Sequence, residues 1–233
     1  MTRIFENLKE AVNEVERDIH EMGITAHPHT MQNKNVENDD NYTTKEIRNY
    51  SFAILDLSKK DKELDAINLE WCQEEFRERV MDENEFCNPG EAWNLRADVW
   101  TEFLDKNGQF EYTYNQRINQ DGQLNRVIEE LKVNPDSRQC IIMIHNPRDK
   151  VFMKKKRIPC SLSYQFMVRD GKLDIIYNMR SSDFNTHFRN DIWLADELRR
   201  YVGKAIDVPS GLLYLNIASL HVYKGYGQTK HVF

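Results

Sequence analysis

Past residue 140 the chain is written largely in short apolar runs, and one turn among them dictates how two of the runs pair. Ser163–Val168 and Leu173–Met179 flank the dipeptide Asp170-Gly171. A two-residue hairpin loop needs positive φ at its central positions, which Asp and Gly tolerate, so this segment predicts a tight β-hairpin. Cys140–Ile144 is a continuous apolar run typical of a buried strand, and Leu212–Val222 is a longer strand. Ile192–Val202, between them, carries helical spacing.

The first half mixes the two periodicities. Ile4, Leu8, Val12, Val15, Ile19 and Met22 recur at steps of three and four, predicting an amphipathic helix over residues 3–22, N-capped by Thr2 and ended by Gly23. Residues 28–45 are polar and read as a loop; Ile47–Leu57 reads as a strand. Charged residues around Leu64, Ile67, Trp71 and Phe76 suggest a helix over 61–80, and Cys87–Gly90 is a turn. A short helical stretch at Val99–Leu104 closes on Lys106-Asn107-Gly108, and the helix carrying Leu124, Val127, Ile128 and Leu131 stops at Asn134-Pro135. With no repeats and no Pro/Gly/Ser-rich linker, the reading is one α/β domain over residues 1–233, its strand order left open.

Composition removes several function classes. The net charge of −6 argues against a partner that is a nucleic-acid polymer, although a single nucleotide needs only a few local arginines. No apolar run approaches the ~20 residues of a membrane helix, and the acidic N-terminal segment does not resemble a secretory signal. Cys72, Cys87, Cys140 and Cys160 contain no C-x-x-C pair, so no metal site is expected, and four reduced thiols in the cytoplasm are.

Some strings carry chemistry. Cys160 ends Arg157-Ile158-Pro159-Cys160, behind the basic run Lys154-Lys155-Lys156. Nearby cations favour the nucleophilic thiolate, yet alone the string reads equally as a buried cysteine beside a solvated charge run. Arg180, Ser181 and Asp183 end a strand, and an arginine fork with a serine hydroxyl suits phosphate. Asp191, at a helix start, is also a plausible cap. His221 and Tyr223, two apart on a strand, share one face. Asn134-Pro135-Asp136-Ser137-Arg138 alone is a turn.

Their joint order adds more. NPDSR, then Pro159-Cys160, the hairpin, RSSD at 180–183, FRND at 188–191 and SLHVY at 219–223 together resemble the thymidylate synthase family, from about residue 93 to 224. The strings are similar in particular to those of its deoxycytidylate hydroxymethylase branch. The resemblance implies a thymidylate synthase-type fold, a mixed β-sheet flanked by helices, acting as a homodimer. In that family a cysteine adds to C6 of a pyrimidine nucleotide, and C5 then attacks the one-carbon unit of 5,10-methylenetetrahydrofolate. Thymidylate synthases reduce the resulting methylene with hydride, whereas hydroxymethylases add water. Carried over, Cys160 is the nucleophile and Tyr114 a tyrosine near it. Arg180 and Ser181 resemble phosphate ligands, and Arg138 the arginine that reaches the partner subunit's site. His221 and Tyr223 match the pair on the sugar hydroxyl, and Trp100 and Asp183 the folate-side residues. Asp191 stands where thymidylate synthases place an asparagine that reads uracil. A carboxyl group accepts from the N4 amino group of cytosine and, when protonated, donates to N3.

The chain also departs from the family. A glutamate three residues before a helical tryptophan is here Asn68, before Trp71, with Glu70 as the nearby substitute on another helix face. An arginine pair is here Arg138-Gln139, which keeps CMP a rival to dCMP, and His187 replaces a common glycine. Only ten residues follow Tyr223, where family members usually continue over the folate, and an open end fits water capture better than hydride transfer. The expected reaction is 5-hydroxymethylation of CMP or dCMP. The rivals are conversion of dUMP to dTMP and a non-catalytic nucleotide-binding homologue.

Overall fold

The computed structural model describes residues 2–31, 34–63, 67–81, 87–149 and 157–225. In chain order the elements are β1 (Arg3–Asn7), α1 (Leu8–Met22), β2 (Ile24–Ala26), β3 (Thr30–Met31), β4 (Lys34–Asn35), β5 (Thr44–Asp56), α2 (Lys60–Glu63), α3 (Leu69–Arg79), α4 (Glu91–Asn94) and α5 (Ala97–Trp100). Then come α6 (Tyr114–Asn119), α7 (Gln123–Val133), β6 (Ile141–Met143), β7 (Ser161–Arg169), β8 (Lys172–Met179), β9 (Ser182–Asp183), α8 (Phe188–Ile206) and β10 (Ser210–Tyr223). The main sheet runs β1-β5-β10-β8-β7-β6, with β2 on β5 and β9 on β10. β1 with β5 and β8 with β10 are parallel, whereas β5 with β10, β7 with β8 and β6 with β7 are antiparallel. The sheet is therefore mixed, as expected.

Alternate residues of its central strands are buried. Tyr164, Phe166, Leu173, Ile175, Tyr177, Leu213, Leu215 and Ile217 share one core with Leu8, Val15, Leu124, Leu131, Ile192 and Leu198 of the helices. A smaller cluster of Trp71, Cys72, Ala92, Trp193 and Leu194 fastens α3 and α4 to α8. Among the described residues no helix is long and apolar enough to cross a membrane.

The hairpin forms where Asp170-Gly171 places it, with φ of 51° and 71°. The helix expected from residue 3 begins only at Leu8, capped by Asn7, whose side chain accepts from Glu10 N–H at 2.9 Å. Residues 3–7 pair instead with Phe52–Asp56 and bury Phe5, so tertiary pairing overrides helical spacing there. Residues 28–45 are not all loop, since Thr30–Met31 and Lys34–Asn35 pair as a small ribbon. The 61–80 segment is two helices, α2 and an α3 capped by Asn68, with 64–66 outside the described residues. The run 140–144 is not buried throughout: it is an edge strand with Ile141 and Met143 facing out.

Asp196 on α8 is fully buried between three cations: Lys60 at 2.8 Å, Arg200 at 2.8 Å, and Arg199. Burial opposes its charge, but Arg199 and Lys60 more than offset that and hold its carboxyl below the usual range. Asp196→Ala would strand the cations, and a loss of ~3–5 kcal/mol in urea unfolding is expected. The contribution of Asp196 is present above the unfolded carboxylate range and disappears as pH falls through its folded value.

Candidate active site

The end of the hairpin places Cys160. Ser161 pairs with Met179 across β7 and β8, so Cys160 and Arg180 face each other just beyond the ladder. Arg180 N–H donates to the Cys160 carbonyl at 2.9 Å. The Arg180 side chain folds onto the same segment: Nε donates to Pro159 O at 3.0 Å, Nη2 to Ile158 O at 2.9 Å and Nη1 to Ser181 Oγ at 2.9 Å. Nη2 and Ser181 Oγ each also lie 3.7 Å from Cys160 Sγ. A cation and a hydroxyl donor thus converge on a half-buried sulfur.

That cation is not the one the sequence pointed to. Arg157 lies over the rings of Tyr112, Trp100, Phe110 and Phe103, at 4.8, 5.0, 5.4 and 5.8 Å from their centroids, so an aromatic cage holds its charge. Lys154, Lys155 and Lys156 lie outside the described residues.

Behind the sulfur runs a chain of hydroxyls. Ser161 Oγ is 3.2 Å from Tyr114 Oη and 2.5 Å from Tyr177 Oη, and the Tyr177 ring stacks on Tyr164 at 4.5 Å. Burial pushes the Tyr114 hydroxyl well above its usual range, so it stays protonated at neutral pH. The Arg79 guanidinium rests on the Tyr114 ring, 4.1 Å from its centroid.

Asp191 lies in the first turn of α8. Asn190 docks that turn on α3: its Oδ1 accepts from Asn68 N–H at 3.3 Å and from Cys72 Sγ at 3.4 Å. Arg79, Arg96 and Glu75 are the charges that act on Asp191. Burial pushes its carboxyl up to about 7, against the pull of Arg79 and Arg96. Both of its protonation states are therefore populated near neutral pH.

The register of β9 and β10 sets Asp183 opposite His221. The His221 ring packs edge-on against Tyr223, 4.9 Å between centroids, as the shared strand face predicts. Burial lowers the proton affinity of both His221 and His187, with the nearby Asp183 opposing in each case, so both rings are neutral at pH 7. His187 stands against Trp100 at 5.7 Å and 33°. Trp100, His187 and the Arg157 guanidinium form one wall of flat faces, which suits a planar ring.

The site does not gather every expected residue. Glu70 is exposed in the first turn of α3, without a contact to the cluster. Asn68 Oδ1 is occupied in capping α3, accepting from Trp71 N–H at 3.1 Å. Arg138 is exposed on the turn before β6, its carbonyl accepting from Gln165 Nε2 at 3.0 Å.

The family model for thymidylate synthase matches residues 90–231. The chain belongs to the thymidylate synthase family. A Methanosarcina barkeri protein named for that family is 34% identical over 140 residues, 57% of this chain and 64% of its own length. A Listeria monocytogenes thymidylate synthase is 28% identical over 154 residues, 66% of this chain and 45% of its own length. The chain thus spans less than two thirds of the curated relatives it matches. The fold is that of thymidylate synthase from phage T4, with a TM-score of 0.73 and 22% identity over 94% of this chain and 78% of that one. It is likewise that of thymidylate synthase A from Bacillus subtilis, with a TM-score of 0.70 and 19% identity over 93% and 80%.

In this member of the thymidylate synthase family several site groups escape a motif reading. Glu75 and Arg79 follow Cys72 at helical spacing on α3, so an i, i+4 charge pair on the apolar stripe was the available signal. Arg96 is buried on the rings of Trp71 and Trp100, at 4.7 and 5.9 Å, and its Nη1 has no hydrogen-bond partner among the described residues. Nothing in the sequence distinguishes it from a surface arginine.

Proposed function

We propose that this protein is a pyrimidine nucleotide 5-hydroxymethyltransferase, converting CMP or dCMP to the 5-hydroxymethyl derivative with 5,10-methylenetetrahydrofolate and water. What supports this reading is Asp191: a half-buried carboxyl group, near half-protonation at neutral pH, at the position that the family resemblance gives to base reading. Protonated, it accepts from cytosine N4–H and donates to N3; ionised, it opposes uracil O4 acceptor to acceptor. A good bidentate pair contributes ~1–3 kcal/mol of base discrimination.

Cys160 Sγ adds to C6 and makes C5 electron-rich, splitting one hard step into easier ones. The folate supplies a one-carbon unit at the oxidation level of formaldehyde. Arg180 spends four of its five N–H donors on Pro159, Ile158, Ser181 and the sulfur. Its remaining Nη1 hydrogen is left for the nucleotide phosphate, and the Ser181 hydroxyl joins it by turning its one proton from the sulfur to the phosphate. His221 and Tyr223 hold the sugar hydroxyl, and Trp100, His187 and Asp183 line the folate side. Glu70 and Tyr114 are the proton-handling groups carried over from the family, of which only Tyr114 lies in the cluster. Arg138, exposed here, completes the site of the partner subunit in a cytoplasmic homodimer. The half-buried sheet residues Gln165, Met167, Ile176 and Asn178 are the surface such a partner covers.

A second reading, dUMP to dTMP, is favoured by the names of the relatives. Release of tritium from C5 of labelled CMP, dCMP and dUMP, assayed in parallel, separates the two. Release from a cytidine nucleotide is expected, and release from dUMP alone would overturn the proposal. Nucleotide affinity should weaken as pH rises through about 7, where Asp191 loses the proton it donates to N3. Titration calorimetry against Asp191→Asn, whose amide does not titrate, isolates the effect from ionisation of the phosphate.

A further inference from the structure

The cluster contains a buried ion pair to which the proposed chemistry gives no task. Glu75 and Arg79 are four apart on α3, joined at 2.8 Å, with side chains 17% and 7% exposed. Desolvation largely offsets the attraction of such a pair, so stability alone is a weak reason for its presence. Its surroundings give a better one. The Arg79 guanidinium lies 4.1 Å from the Tyr114 ring centroid, and Tyr114 Oη is 3.2 Å from Ser161 Oγ, next in the chain to Cys160. The backbone joins the same two elements: the Arg79 carbonyl accepts from Asn119 Nδ2 at 3.1 Å, and the Glu78 carbonyl from Asn115 Nδ2 at 2.5 Å. With Asn68 capping its helix and Glu70 exposed, Glu75 is the carboxylate of α3 tied into the cluster.

We infer that Glu75 and Arg79 are positioning residues: Glu75 fixes the Arg79 guanidinium, which fixes the Tyr114 ring and so keeps its hydroxyl on the Ser161–Tyr177 chain behind the nucleophile. The kinetic consequence rests on the proposed reaction, whereas the hold on Tyr114 does not. A displacement of about 1 Å of a group near the chemistry costs up to about a hundredfold in rate.

Two variants test this. Glu75→Gln removes one charge, and Glu75→Met with Arg79→Leu removes both partners together, so neither is left facing an empty place, while Arg96 still attends Asp191. Each should lower kcat roughly 10- to 100-fold while KM for the nucleotide stays within about twofold, both read below pH 7, where Asp191 keeps its proton with or without Arg79. Combined with Tyr114→Phe, the losses should not multiply, because all act through one hydroxyl. Glu14→Gln, which breaks the exposed 2.5 Å pair with Arg17 on α1, should leave kcat unchanged. In a spectrum of protein carrying ring-labelled tyrosine, the Tyr114 signal should move in both test variants and stay in Glu14→Gln. Wild-type kcat in the pair variant, losses that multiply with Tyr114→Phe, or an unmoved Tyr114 signal would overturn the inference. If wild-type protein releases tritium from none of the three nucleotides, the reaction reading fails, and the tyrosine spectrum alone decides the positioning.

Discussion

Cys160→Ala is expected to abolish product formation, on the order of 10⁴-fold or more, because without the sulfur there is no adduct and C5 has no route to becoming a nucleophile. The change should cost little else. Cys160 is half-buried before β7, and its neighbours Arg180 and Ser181 keep their bonds to each other and to Pro159 and Ile158. Nucleotide affinity and thermal midpoint should therefore stay near wild type. The measurement is turnover beside titration calorimetry on the same preparation. Retained turnover would remove Cys160 from the mechanism, and a protein whose biological task survives the substitution would be the non-catalytic homologue.

Asp191→Asn is expected to swing base preference from cytosine toward uracil, by up to about a hundredfold in relative affinity. The amide carries a permanent donor for uracil O4, where an ionised carboxylate presents only acceptors. The substitution also changes stability with a definite sign. Because burial raises the Asp191 carboxyl to about 7, its favourable contribution is present below the unfolded carboxylate range and is lost as pH rises through about 7. The Asn variant should therefore gain stability relative to wild type as pH increases across that window. An unchanged cytosine-to-uracil ratio in competitive binding would separate Asp191 from base reading.

The sequence carried local structure better than tertiary placement. Asp170-Gly171 specified the hairpin because its φ values are a property of two residues. The start of α1 was misread because Arg3–Asn7 follows a partner strand some fifty residues away, which no local spacing encodes. Ordered motifs single out Cys160, Arg180, Ser181, Asp191, His221 and Tyr223 as the proposed site. Which cation attends the sulfur was not legible: Arg157 is three residues from Cys160 yet lies among aromatic rings, whereas Arg180 arrives through the β7–β8 register. Glu75 and Arg79 belong to no motif, and only the docking of α3 on α8 and α6 shows that their side of the helix is covered. Glu70, next to Trp71 in sequence, projects from the helix into solvent.

The most direct test of the central claim is the mass of the product formed in heavy-oxygen water, with 5,10-methylenetetrahydrofolate and CMP, dCMP or dUMP supplied separately. A cytidine nucleotide gaining a hydroxymethyl group that carries solvent oxygen is the predicted result. A methyl group free of solvent oxygen, formed on dUMP alone, would contradict it.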